Sequence, residues 1–274
     1  MSHTFKSKIS TDTNLADSLT VSKMTSADCT SDHKSESQAD AYVETYFDAL
    51  YNDNTDPWQY QTRWYEKRKR NICLAVLPQA QYSNAIELGC GNGVFSELLA
   101  HRCQTLVSID GNKKAVQLAQ QRLAETPNVR IIQGIIPDIF LTLKDALLHA
   151  YPSSNHSPSN KPPFDLIVIS EILYYLSPKD IDTVIAWIRQ NLAIGGTLLC
   201  CHWRYAIDGF AMTGESVHQC LQEAFSLVNS AGKVSNEGSH QLAFNHQSQI
   251  VDIDFLLDIW RNSPDSVAMQ ENLV

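Results

Sequence analysis

Ala85-Ile86-Glu87-Leu88-Gly89-Cys90-Gly91-Asn92-Gly93 is the stretch on which the fold turns. Ala85 to Leu88 read as a short strand and the alternating glycines as a sharp turn, after which Val94, Phe95, Leu98 and Leu99 fall at helical spacing. Outward from this unit, Leu106 to Ile109 form a second strand ending at Asp110, and Ala115, Val116, Leu118, Ala119 and Leu123 supply the next helical face. Val129 to Ile132 are a third strand. Asp165 to Ile169, nearly all apolar, read as a strand covered on both faces in the sheet centre. Ser177 and Pro178 open a helix reaching about Leu192, Gly195-Gly196 break it, and Thr197 to Cys201 form a fifth strand. Repeated strand-helix units with right-handed crossovers predict an α/β, doubly wound sheet that binds ligands at the carboxyl ends of its strands.

The chain has 274 residues, 43% hydrophobic and 19% charged, enough for one large domain with a buried core. Its formal charge of -9 argues against a nucleic-acid partner, because a duplex-wide phosphate surface needs clustered Lys and Arg. Apolar runs are too short to cross a bilayer and the first residues lack a secretory pattern, so a cytoplasmic protein with no membrane partner is expected. The seven cysteines are odd in number and form no C-x-x-C pair, so they read as reduced thiols. Neighbours on a strand point to opposite faces, so Cys200-Cys201-His202 is not read as a chelate and no metal is expected. Residues 1-38, rich in Ser and Thr, read as a disordered tail, 40-262 as the folded domain, 152-163 as an exposed loop within it, and 263-274 as a flexible end.

The loop carries the first chemical argument. Glycine lets backbone approach a ligand where a Cβ would collide. A dinucleotide site wants its third glycine one residue later, at the position Val94 holds here. Glu87 would repel a pyrophosphate and suit a cationic cofactor, so a sulfonium with an amino-acid tail fits better than a nicotinamide dinucleotide. Asp110, 19 residues after Gly91, is placed to accept both hydroxyls of a ribose; the competing reading makes it a helix cap, with Asn112 as the rival.

Glu87 to Gly93, followed by Asp110, resembles the first motif and ribose-binding acid of class I S-adenosylmethionine-dependent methyltransferases. Asp56-Pro57-Trp58, Arg63 to Arg70, Phe164 to Glu171, Tyr174-Tyr175-Leu176 and His202-Trp203-Arg204, in that order, are similar to the NodS-like branch, the family of the nodulation protein S that N-methylates the free amine of a partly deacetylated chitin oligosaccharide. The similarity covers about Asp56 to Arg261, and Gly134-Ile135-Ile136 stand where the family keeps an acid after the third strand. The resemblance implies S-adenosyl-L-methionine as cofactor. It also implies a seven-stranded, mostly parallel Rossmann-like sheet, completed by a helix at about Glu215 to Leu227 and an antiparallel edge hairpin that includes Phe255 to Trp260.

Methyl transfer needs donor and acceptor held in line and the acceptor amine unprotonated. Glu171, at the end of the fourth strand, reads as the group that anchors the amine or takes its proton, with Tyr174 and Tyr175 as pocket walls. His202 ends the fifth strand and is a candidate base. Trp203 and Arg204 are candidates for contact with a sugar ring. Among the basic residues of the helix after Arg63, Arg68 shares a face with Trp64 and is the expected partner of the cofactor carboxylate, while Glu87, Gly89, Gly91, Gly93 and Asp110 complete the donor site. The expected activity is methylation of a small acceptor such as an amino sugar. Methylation at oxygen, nicotinamide-dependent oxidoreduction and silent cofactor binding are the alternatives.

Overall fold

A computed structural model describes residues 32-52, 54-143, 147, 164-230 and 244-274. Most of the stretch read as a tail and the loop at 152-163 lie outside the described residues. In chain order the elements are α1 (Asp32–Asn52), α2 (Trp64–Ala75), β1 (Tyr82–Leu88), α3 (Val94–Ala100), β2 (Cys103–Asp110), α4 (Lys113–Arg122), β3 (Val129–Gln133), β4 (Phe164–Ser170), α5 (Pro178–Asn191), β5 (Leu192–Trp203), α6 (Gly214–Ser230), β6 (Phe244–Val251), β7 (Phe255–Asn262) and α7 (Val267–Gln270). A 3-10 turn, Leu173–Tyr175, follows β4. The strands form one sheet in the order β3-β2-β1-β4-β5-β7-β6, with β1 to β5 parallel and β7 antiparallel to both its neighbours.

Sequence chemistry accounts for the element ends. Asn112 caps α4 by accepting from the Ala115 amide, and Ser177 caps α5 by accepting from Asp180, with Pro178 pre-set at the first turn. Ile86, Leu88, Ile167 and Ile169 face one core layer and Leu166, Val168, Leu199 and Cys201 the other, as expected of central strands sandwiched by helices. Three boundaries differ from expectation. The helix α5 stops at Asn191 and the strand starts at once, so the Gly195-Gly196 pair lies inside β5, where Gly195 has φ +79° and the pairing with β4 shifts register. The helix α1 begins at Asp32, within the stretch read as a tail, and Ser266 caps the short α7 in the stretch read as a flexible end.

The register brings the chemistry together. Leu88 pairs with Ile109 on one side and Ile169 on the other, while Ser170 pairs with Cys201. The glycine loop, Asp110, Glu171 and His202 therefore leave their strands within a residue of one row along the carboxyl edge. The chain order reverses between β1 and β4, the position where open α/β sheets open a crevice.

Candidate active site

The loop after β1 is folded onto β2. Gly89 and Cys90 donate to the Ile109 carbonyl, Gly91 N donates to Asp110 Oδ2 at 2.8 Å, and Asn112 N donates to Asp110 Oδ1 at 2.9 Å. Asn112, not Asp110, caps α4. The Asp110 carboxylate is fixed at the loop, and burial pushes its pKa up. Gly91 has φ +54°, and a Cβ added there would lie 3.2 Å from the Tyr51 hydroxyl oxygen. Gly93 differs in its surroundings: a Cβ added there would meet Ala119 at 3.0 Å, so the loop packs closely on α4 at this position.

A cleft partly open to solvent lies against this loop, lined among others by Glu87, Gly89, Gly91, Asn92, Lys69, Arg70 and Glu171. Glu87 sits on its floor, 2% exposed, accepting from Ser108 at 2.8 Å and from Ser96. Burial pushes its pKa up to about 7, against the lowering effect of the two hydroxyls. Above the loop, Trp58 stacks on Tyr60 at 5.6 Å, Asp56 caps the Tyr60 amide, and Asn92 Nδ2 donates to Thr55 O and Asp56 Oδ1.

Glu171 stands across the cleft with backbone φ +60°. Its Oε1 accepts from Lys69 Nζ at 2.6 Å; its Oε2 accepts from Trp203 N at 2.9 Å and from the Tyr174 hydroxyl. Lys69 also meets Glu66 at 3.2 Å and lies 5.1 Å from the Tyr65 ring centre. Its burial works against the charged form, but Glu171 and Glu66 outweigh it and hold the ammonium well above its ordinary range. Burial raises the Glu66 pKa, opposed by Lys69. Arg70 donates to the Tyr60 carbonyl at 2.5 Å and lies 3.5 Å from Glu66.

Several expected site residues are placed elsewhere. Arg68 does not reach the cleft: it pairs with Asp252 at 2.6 Å over the Phe255 ring, 41% exposed at its side chain. The reason is helical phase. Trp64, 69% exposed, marks the outward face that Arg68 shares, whereas Glu66, Lys69, Arg70 and Cys73 are buried. His202 is fully buried and both ring nitrogens are engaged, Nε2 by the Leu173 amide at 3.4 Å and Nδ1 by His218 at 3.0 Å. Burial, with His218 and Lys69 nearby, holds it well below the ordinary histidine range, and its ring is turned to Leu173 and His218. Tyr174 reaches the site through Glu171, whereas Tyr175 packs behind it on Phe47 and Phe210 at 4.9 and 4.7 Å. Trp203 contributes its amide, its ring packing edge-on against Tyr65. Arg204 binds Glu215 and the Asp252 carbonyl, both at 2.6 Å.

The fit of a sulfonium nucleoside with an amino-acid tail can be tested on orphaned polar atoms. The Tyr51 hydroxyl, Asn92 Oδ1 and Arg70 Nε are buried and find no hydrogen-bond partner among the described residues. All three adjoin the loop or the cleft, and buried polar groups are rarely left unpaired. Two acceptor-capable oxygens and a guanidinium edge match the hydroxyls, ammonium and carboxylate of such a ligand. Tyr51, Tyr60, Asn92 and Arg70 were not singled out from the sequence. The spacing of Glu66, Lys69 and Arg70, which share one helix face, was the available signal for the last.

A seven-stranded sheet with one reversed strand between β5 and β6, a glycine loop after β1 and an acid after β2 is the class I, Rossmann-like methyltransferase architecture. A profile of the methyltransferase domain matches residues 86-198. A putative methyltransferase from Pseudomonas syringae is 34% identical, with 72% of this chain and 99% of that one covered and a TM-score of 0.52. The N-methyltransferase NodS of Bradyrhizobium japonicum WM9, solved with S-adenosyl-L-homocysteine, is 25% identical, with coverage of 81% and 99% and a TM-score of 0.60. Nodulation protein S of Rhizobium tropici is 30% identical over 146 residues, 53% of each chain. The chain belongs to the methyltransferases, and within them it is similar to the NodS proteins. It spans about half the length of the first curated relatives it matches. Among the described residues no helix is long and apolar enough to cross a membrane.

Proposed function

We propose that this protein transfers a methyl group from S-adenosylmethionine to the unprotonated amine of an amino sugar or a similar small polar acceptor. The observation that carries this reading is Glu171, a carboxylate fixed by three donors and facing the glycine loop across one cleft. The donor, when bound, supplies an electrophilic methyl carbon on a cationic sulfur. Asp110 receives the ribose hydroxyls, the Gly89 to Asn92 backbone lies along the ligand, Glu87 favours its positive charge, and Arg70 takes the role expected of Arg68 at the carboxylate. Glu171 accepts a hydrogen bond from the acceptor amine, which turns the nitrogen lone pair toward the donor side. Lys69 and Tyr174 hold that carboxylate in place, so its orientation is set before substrate arrives. We place the reaction in the cytoplasm, where the six described cysteines, all unpaired, would remain thiols.

The test is transfer of a radiolabelled methyl group from S-adenosylmethionine to glucosamine and to a chitotriose carrying one free amine, with the product mapped by mass spectrometry. Label on nitrogen supports the reading. Label on oxygen, or none on any of a panel of small amines while S-adenosylhomocysteine still binds, removes it.

A further inference from the structure

The buried histidine at the end of β5 opens a chain of side-chain hydrogen bonds that runs beneath the cleft to the far edge of the sheet. Leu173 N donates to His202 Nε2 at 3.4 Å, His202 Nδ1 faces His218 Nε2 at 3.0 Å, His218 Nδ1 meets Asp258 Oδ2, and Asp258 Oδ1 meets His246 Nε2 at 2.5 Å. The chain joins the 3-10 turn to β5, α6, β7 and β6. His202, His218 and Asp258 are at most 2% exposed, while the His246 side chain is 38% exposed.

Only one assignment of protons satisfies every bond. An amide can only donate, so His202 accepts at Nε2 and keeps its proton on Nδ1. His218 must then accept at Nε2 and carry its own proton on Nδ1, which it gives to the carboxylate. Burial opposes the Asp258 anion, but His218 and His246 outweigh it and hold its pKa below the ordinary value. Both buried rings are neutral and each N–H points away from the cleft. Such a chain cannot carry protons to the acceptor, because it ends on a backbone amide that keeps its hydrogen. What it can do is fix that amide. Leu173 lies two residues after Glu171, whose backbone is in the left-handed region and whose N–H is tied to the Cys201 carbonyl, and one before Tyr174, whose hydroxyl binds the Glu171 carboxylate. The Tyr174 ring itself lies edge-on to His202 at 5.5 Å.

We propose that His218 and Asp258 are positioning residues for methyl transfer: acting through His202, they clamp the Leu173 amide and so aim Glu171 and Tyr174 into the cleft. This rests on the reading of Glu171 and Tyr174 as the acceptor side. On the whole chain, 15N spectra of the histidine rings should show His202 and His218 as neutral Nδ1–H tautomers; an Nε2–H or charged ring at either position overturns the clamp. His218→Leu should speed Leu173 amide exchange and lower kcat for the chitotriose amine by roughly tenfold to a hundredfold, while S-adenosylhomocysteine affinity is unchanged. Unchanged Leu173 protection, or equal losses of cofactor affinity and kcat, overturns it. Should that variant fail to fold, Asp258→Ala serves: it leaves His218 Nδ1 without its acceptor, so Leu173 amide exchange should quicken and turnover fall while S-adenosylhomocysteine affinity is unchanged, and Leu173 protection equal to that of the wild type overturns the clamp. A large loss of turnover with protection retained would count against the clamp. Wild-type protein that methylates no amine would remove the proposed function, while tautomers and amide exchange still decide the clamp.

Discussion

Lys69 Nζ lies 2.6 Å from Glu171 Oε1, with side chains 5% and 15% exposed, and joins α2 to the end of β4 across the floor of the cleft. Lys69 therefore neutralises two carboxylates, Glu66 and Glu171, that would otherwise face each other in a poorly solvated place. Lys69→Met should destabilise the protein by roughly 3 kcal/mol or more in urea unfolding, because breaking a buried ion network leaves its anions uncompensated. Adding Glu171→Gln to that variant should restore part of the loss. Additive effects of the two changes would show that they do not interact.

Glu171→Gln alone keeps the shape of the site and removes the anion. Calorimetric titration with S-adenosylhomocysteine should give wild-type affinity, while methyl transfer falls roughly a hundredfold or more. Equal losses would move Glu171 to the donor side.

On the donor side, Asp110→Ala removes the acceptor for Gly91 N and the group proposed to receive the ribose hydroxyls. S-adenosylhomocysteine should bind roughly tenfold to a hundredfold more weakly. Gly93→Ala is the contrast: its Cβ meets Ala119 and Leu123, so thermal stability should drop with little change in the affinity of the protein that remains folded.

The two neighbouring arginines separate helix faces. Arg70→Ala should weaken cofactor binding, since Arg70 lines the cleft with an unpartnered Nε. Arg68→Ala should leave it unchanged, because Arg68 serves an exposed pair with Asp252. A cofactor affinity that follows Arg68 and ignores Arg70 would reverse the assignment.

Glu87 gives a pH dependence of defined sign. Its pKa is about 7 in the folded protein against an ordinary 4.5, so between these values the unfolded chain gives up a proton that the folded protein keeps. Stability should therefore fall as pH rises from about 4.5 to 7, by about 3 kcal/mol in all, and stay lower above that. Glu87→Gln should flatten this part of the urea-unfolding profile. Affinity for the cationic donor should rise with pH over the same range in the wild type and not in the variant.

The sheet and its ligand edge were legible because β1, β2, β4 and β5 carry strong local signals: apolar runs closed by Gly89, Asp110, Glu171 and His202. What the sequence hid was direction. Arg68, Lys69 and Arg70 are consecutive, and only the packing of α2 shows which of them turns inward; Trp64, whose face Arg68 shares, is exposed. His202 looked like a base because position on a strand says nothing about what α6 places over it, and His218 lies 16 residues away with no motif around it. Tyr51, on a helix well before the glycine loop, reaches Gly91 only through tertiary folding.

Glu171 keeps a left-handed backbone that glycine, or less often asparagine or aspartate, would adopt with far less strain. The glutamate trades ease at the bend for the aim of a charge, and because Lys69, the Tyr174 hydroxyl and the Trp203 amide would all lose their acceptor, glycine at 171 should relax the backbone and still leave the fold weaker.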